Sequence, residues 1–201
     1  MVSGPIRQSA RRVSTREPHK RIYMTELTYF NNFKSRRVNI DVRITKAKHT
    51  DPVNLVAEAR KIISEKQLDV RSGIDEIWCV LDLDTSPDNE YVITFLTKAR
   101  RANTKIAYSN PCFEIWFLLH FQSITGNVGV KQLMKKLLSE VPSYQKGKCI
   151  YSYIGDMTDQ AISNGEKLEI LHSGKLNKSD FKGSNPYTEV FKLVSNLKAY
   201  I

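Results

Sequence analysis

Cysteine is scarce in this chain: Cys79, Cys112 and Cys149 are far apart, odd in number and form no CxxC pair. Neither a disulfide framework nor a zinc site is therefore expected. Cys79 and Cys112 lie inside apolar runs and read as core residues. Long hydrophobic runs are missing too, and none approaches the ~20 residues of a membrane-spanning helix. The opening stretch MVSGPIRQSARRVSTREPHKRIY has no apolar centre of the kind a signal peptide carries, so a cytoplasmic location and no membrane partner are expected. Acidic residues are in deficit, with 21 Asp plus Glu against 31 Lys plus Arg, a formal charge of +10. That excess favours polyanionic partners, nucleic acid first among them.

What is present suits a folded domain. The chain has 201 residues, 41% hydrophobic and 26% charged, enough apolar material for a sizeable core. Residues 1–20, with Arg7, Arg11, Arg12 and Arg16, form a basic arm expected to be flexible. After it come KRIYMTE as a short strand, LTYFNNFKS as a short helix and VNIDVRI as a half-buried strand alternating through Val38, Ile40, Val42 and Ile44. Asp51 and Pro52 mark a helix entry that continues to about Lys66. IDEIWCVLDLD is apolar on both faces from Ile77 to Leu81, as in a central parallel strand. NEYVITFLTKARRANT then reads as a helix, KIAYS as a strand and PCFEIWFLLHF as a helix, with Asn110 and Pro111 at its start.

This alternation of strand and helix predicts an α/β fold over residues 21–125, its mainly parallel sheet flanked by helices. From Gly126 the pattern turns helical. VGVKQLMKKLLSEV, GDMTDQAISNGEKLEILHSG and NPYTEVFKLVSNLKAYI read as three helices, the last opened by Asn185 and Pro186. SGKLNKSDFKGSN reads as a loop. Residues 126–201 are accordingly expected to form a helical lobe packed on the core.

The candidate chemistry lies where the central strand ends. Asp82 and Asp84 are one residue apart, so in a strand they face the same side, and two like charges there need a cation or water. Hard cations take such oxygen ligands, and in parallel sheets ligands bind beyond the carboxyl ends of strands. Glu26 follows the first strand and would sit on the same rim. Glu114 opens a helix that is apolar nearly all round, so it should have a metal, a lysine or a set of amides as partner. His120, near the far end of that helix, reads as structural. Lys146 and Lys148 in SYQKGKCIY, beside Tyr144 and Tyr151, mix basic and aromatic residues as nucleic-acid contacts do. Arg100 and Arg101 are further candidates for phosphate contact.

Taken together, the strand ending in DLD, the block SNPCFEIWFLLHF and the later NPYTEVFKLV resemble the RloB-like family of Toprim-containing proteins, in the family's order from about Ile22 to Leu193. The SNPCFE-W-LLHF block is the most specific element. The resemblance implies a Toprim/Rossmann-like sheet and a nucleic-acid-cleaving site that uses Mg²⁺, with Mn²⁺ as a substitute. It also implies a role in bacterial anti-phage defence beside an AAA-type ATPase partner. In that site Asp82 and Asp84 would hold the metal, and Glu26 would bind metal or act as a general base.

One feature departs from the family. Its first strand ends in a Glu-Gly turn with further residues before a Thr-Glu and an aromatic pair, and RIYMTELTYF is too short for all of that. Either Glu26 replaces the strand-end glutamate, or it matches the later Thr-Glu and the usual acid is absent. A catalytically degenerate module that binds nucleic acid or the ATPase without cutting is the alternative function. A more distant rival is the aspartate-nucleophile phosphatase pattern, to which DLDTS is a near miss at Ser86. The target, DNA or RNA (tRNA included), is left open, as is a homodimer through an edge strand or the C-terminal helices.

Overall fold

The computed structural model describes residues 20–23, 27–33, 43–45, 51–84, 86, 88–146, 148 and 150–200. Most of the basic arm, Glu26, Cys149 and most of VNIDVRI lie outside the described residues.

Among the described residues five strands make one mixed sheet: β1 (Lys20–Tyr23), β2 (Arg43–Thr45), β3 (Glu76–Asp82), β4 (Lys105–Asn110) and β5 (Tyr187–Thr188), in the order β2-β1-β3-β4-β5. The pairs β1–β2, β1–β3 and β3–β4 are parallel, and β5 runs antiparallel to β4. Between and after the strands come α1 (Leu27–Phe30), α2 (Pro52–Glu65), α3 (Asn89–Arg101), α4 (Glu114–Leu119), α5 (Val130–Glu140), α6 (Tyr151–Ile154), α7 (Thr158–Leu176) and α8 (Val190–Lys198). The fold is therefore mixed α/β, as the alternation predicts.

Local chemistry explains most of these elements. Asp51 caps α2 by accepting a hydrogen bond from the Asn54 amide at 2.9 Å, with Pro52 as the first helical residue. Asp88 does the same for α3, accepting from the Tyr91 amide at 2.8 Å. In β3 the run from Ile77 to Leu81 is buried on both faces because helices cover the sheet on both sides. All six residues of α4 are buried, as its all-round apolar sequence requires.

Three boundaries differ from the sequence expectation. Asn110 ends β4 instead of capping α4. Its amide nitrogen donates to the carbonyls of Phe181, Lys182 and Ser184 at 3.1, 3.1 and 3.0 Å. Those carbonyls sit in a loop with no ladder to satisfy them, so they take the side chain, and α4 begins only at Glu114 without a side-chain cap. Asn185 and Pro186 likewise open no helix. The Asn185 side chain accepts from the Val128 amide at 2.8 Å, and the chain then adds β5 to the sheet before α8 starts at Val190. Both Asn–Pro bonds are cis. Finally, α7 runs on to Leu176, through the SGKL expected as loop. There Ser173 Oγ donates back to the Ile170 carbonyl at 2.9 Å, keeping the serine within the helix.

The core is shared along the chain. One apolar cluster joins Tyr29, Phe30 and Phe33 to β3, β4, α4, α7 and α8. A smaller one places Cys112, Ile115 and Leu118 against Ile124, Val128 and Leu133. Gly165 of α7 meets the Phe191 ring of α8 so closely that an added Cβ would lie 2.7 Å from it. Among the described residues no helix is long and apolar enough to cross a membrane.

Candidate functional site

The strand order places the site before any side chain is considered. β1 is followed outward by β2 on one side, and β3 leads to β4 on the other, so the winding reverses between β1 and β3. In open parallel sheets the crevice at such a reversal, beyond the carboxyl ends, is where ligands bind. Asp82 is the last residue of β3 and lies across from Ser109 of β4. β1 ends at Tyr23, opposite Cys79, three residues short of the level of Asp82. The segment that follows β1, with Glu26, lies outside the described residues.

Past Asp82 the chain turns while keeping contact with β4. The Leu83 amide donates to the Ser109 carbonyl at 2.8 Å and the Asp84 amide to the Pro111 carbonyl at 3.1 Å. Burial still alternates, with Asp82 half-buried, Leu83 buried and Asp84 exposed. The pair therefore straddles the rim, one carboxylate at the sheet end and the other toward solvent.

Glu114 is brought to the same rim by the three residues after Pro111. It is 2% exposed, so its charge must be compensated locally. Oε1 accepts from the Tyr144 hydroxyl at 3.1 Å and lies 3.7 Å from Lys146 Nζ. Oε2 is buried and accepts no hydrogen bond. The neighbouring Cys112 thiol senses this acidity. Burial raises its pKa first, and the nearby Glu114 and Asp82 carboxylates raise it further, which favours the neutral thiol.

The basic candidates divide between two places. Lys146 reaches Glu114 with an otherwise exposed side chain, and Lys148 is exposed two residues on. Arg100 and Arg101 close α3 just before β4 begins, at the opposite, amino-terminal end of the strands. There Arg100, Lys105 and Glu189 line a cleft of about 400 Å³. Burial pushes the Glu189 carboxyl up to about 7, against the opposing effect of Lys192, 3.2 Å away.

His120 is structural. Its Nδ1 lies 2.9 Å from the Trp116 carbonyl, its ring sits edge-on to Trp116, and burial lowers its pKa to about 4.

Sequence reasoning passed over Lys182. Its ammonium donates to the carbonyls of Leu83 and Ser86, both at 2.6 Å, on either side of Asp84. It lies 98 residues after Asp84, inside a stretch that reads only as a polar loop, so no periodicity or local motif signals it.

Oxygen donors alone suit a hard cation, and Glu114 Oε2 is a buried acceptor with no hydrogen bond, beside the Cys112 thiol. Among the described residues, however, no three His, Cys, Asp or Glu side chains are grouped closely enough to enclose a metal ion by themselves.

Comparison with known proteins gives one match: the model of a family described as RloB-like protein covers residues 23–197. No curated protein and no solved structure matches the chain.

Proposed function

The chain belongs to the RloB-like protein family, and on that premise we propose that it is a Mg²⁺-dependent nuclease with a Toprim-like sheet, acting in anti-phage defence beside an AAA-type ATPase. The observation that carries this reading is the rim itself. Its supports are Asp82 at the end of β3, beside the reversal of the sheet, and a buried Glu114 with one oxygen lacking a hydrogen bond, three residues past the Pro111 whose carbonyl takes the Asp84 amide. Buried carboxylates that share an environment are costly unless a cation offsets them.

Asp82 and Asp84 would hold the ion, with Glu114 behind them and Glu26 as metal ligand or general base. When bound, Mg²⁺ supplies Lewis acidity and offsets charge on the phosphate. In the hydrolysis a water oxygen forms a bond to phosphorus and an ester P–O bond breaks, leaving a phosphate monoester and a free hydroxyl. Lys146, extended from the rim, is placed to meet the nucleic-acid backbone, and the +10 charge favours that encounter.

The test is cleavage of DNA, RNA and tRNA with Mg²⁺ and with chelator. Wild type should cut only with metal, and folded Asp82→Ala should not cut at all. Undiminished cleavage by folded Asp82→Ala would refute the assignment. The second reading, a module that binds without cutting, has its own support: Lys146 already lies beside Glu114. Nucleic-acid binding that is indifferent to chelator, with no cleavage, would select it.

A further inference from the structure

The loop between α7 and β5 reaches across to the acidic rim through a series of specific bonds. Asn89, the first residue of α3, accepts from the Lys182 amide at 2.7 Å and donates to Asp180 Oδ1 at 2.9 Å. Asp180 Oδ1 also accepts from the Gly183 amide at 3.0 Å. A Cβ at Gly183 would lie 2.0 Å from Asp180 Oδ2, so any larger residue there would have to displace the Asp180 carboxylate. From the β4 side, Asn110 binds three carbonyls of the same loop. The loop is thus fastened to the two elements that flank the rim, and Lys182 projects from it.

An ammonium has three donors, and two of those of Lys182 are committed to the carbonyls of Leu83 and Ser86. Bonds from a charged donor are stronger than neutral ones. On its other side the same turn is tied to Ser109 of β4 through the Leu83 amide and to Pro111, just past β4, through the Asp84 amide. We propose that Lys182 is a positioning residue for the acidic turn: from the C-terminal part of the chain it fixes the backbone on both sides of Asp84 and so sets where that carboxylate is presented. The link between this geometry and metal binding rests on the nuclease reading; the holding of the turn does not.

Two measurements on the full chain separate the claims. Hydrogen exchange of the metal-free protein reads the turn directly, because the Ser86 amide donates to the Leu83 carbonyl at 3.1 Å within it. In Lys182→Met, exchange in the peptide over residues 83–88 should accelerate about tenfold while β3 and β4 stay protected, and Lys182→Arg should restore part of the protection. Mn²⁺ affinity, read by electron paramagnetic resonance, should fall about tenfold in Lys182→Met, the usual cost of losing a group that orients metal ligands.

Unchanged exchange in a folded Lys182→Met would overturn the proposal, as would weakened Mn²⁺ binding with exchange unaltered. If Lys182→Met does not fold, Gly183→Ala displaces Asp180 instead and should accelerate exchange over the same peptide; no acceleration there would also count against it. A wild type that binds no Mn²⁺ would sink the nuclease reading, and the exchange data would still decide whether Lys182 holds the turn.

Discussion

At Glu114 burial and charge conflict most sharply. One oxygen is shared by Tyr144 and Lys146, and the other accepts no hydrogen bond. Glu114→Gln should keep the fold, because it preserves shape and removes a buried charge, with a stability change within about 2 kcal/mol. It should nevertheless weaken divalent-cation binding, and thermal melts with and without Mn²⁺ would show both effects. That Glu114 needs a partner was legible in its apolar helix. The identity of that partner was not, because Tyr144 and Lys146 lie about thirty residues away and only the folded chain brings them close.

Buried His120 and half-buried Glu189 give opposite pH dependences. His120 has a folded pKa near 4, below its ordinary 6.5, so the unfolded chain binds its proton first. Its stabilising contribution is full above 6.5 and is lost as pH falls toward 4. Glu189 is raised from 4.5 to about 7, so its contribution is present below 4.5 and is lost as pH rises through 7. Urea unfolding across pH 4–7.5 should therefore show a shallower acid decline in His120→Gln. Glu189→Gln should lose less stability than wild type as pH rises through the same window.

Among the elements, the strand–helix order through α4 was legible because the hydrophobic periods were clear and α2 and α3 each had an aspartate cap. The two Asn–Pro sites were not. Asn-Pro before an apolar run is a sound helix-start signal when only neighbours in sequence compete for the side chain. Here a loop about seventy residues away supplies three carbonyls, and they win. Asn110→Ala should accordingly cost about 2 kcal/mol or more, since it leaves several polar groups without their donor, and denaturant melts would measure it. The contact of α7 with α8 gives a second test. Gly165→Ala drives a methyl into Phe191, and a loss of about 1–3 kcal/mol is expected from such overpacking.

Across the described residues, the sheet order leaves Asp82 and Asp84 at the carboxyl end of β3 and Arg100 and Arg101 at the other end of the strands. The sequence marks residues as basic, but cannot say that Lys146 and Arg100 are separated by the length of β4, roughly 20 Å at ~3.3 Å per residue. A nucleic acid touching both must cover that distance. Lys146→Gln should reduce the salt dependence of binding by about one phosphate contact on short and long substrates alike. Arg100→Gln should do so only on substrates longer than roughly six base pairs.

The nuclease reading requires that the acidic rim hold a divalent cation. Calorimetric titration of Mg²⁺ or Mn²⁺ into wild type and into Asp82→Ala/Asp84→Ala tests it most directly. Saturable binding that disappears in a folded double variant is the predicted result. A folded wild type that takes up no ion, or a double variant that binds as well as wild type, would contradict it.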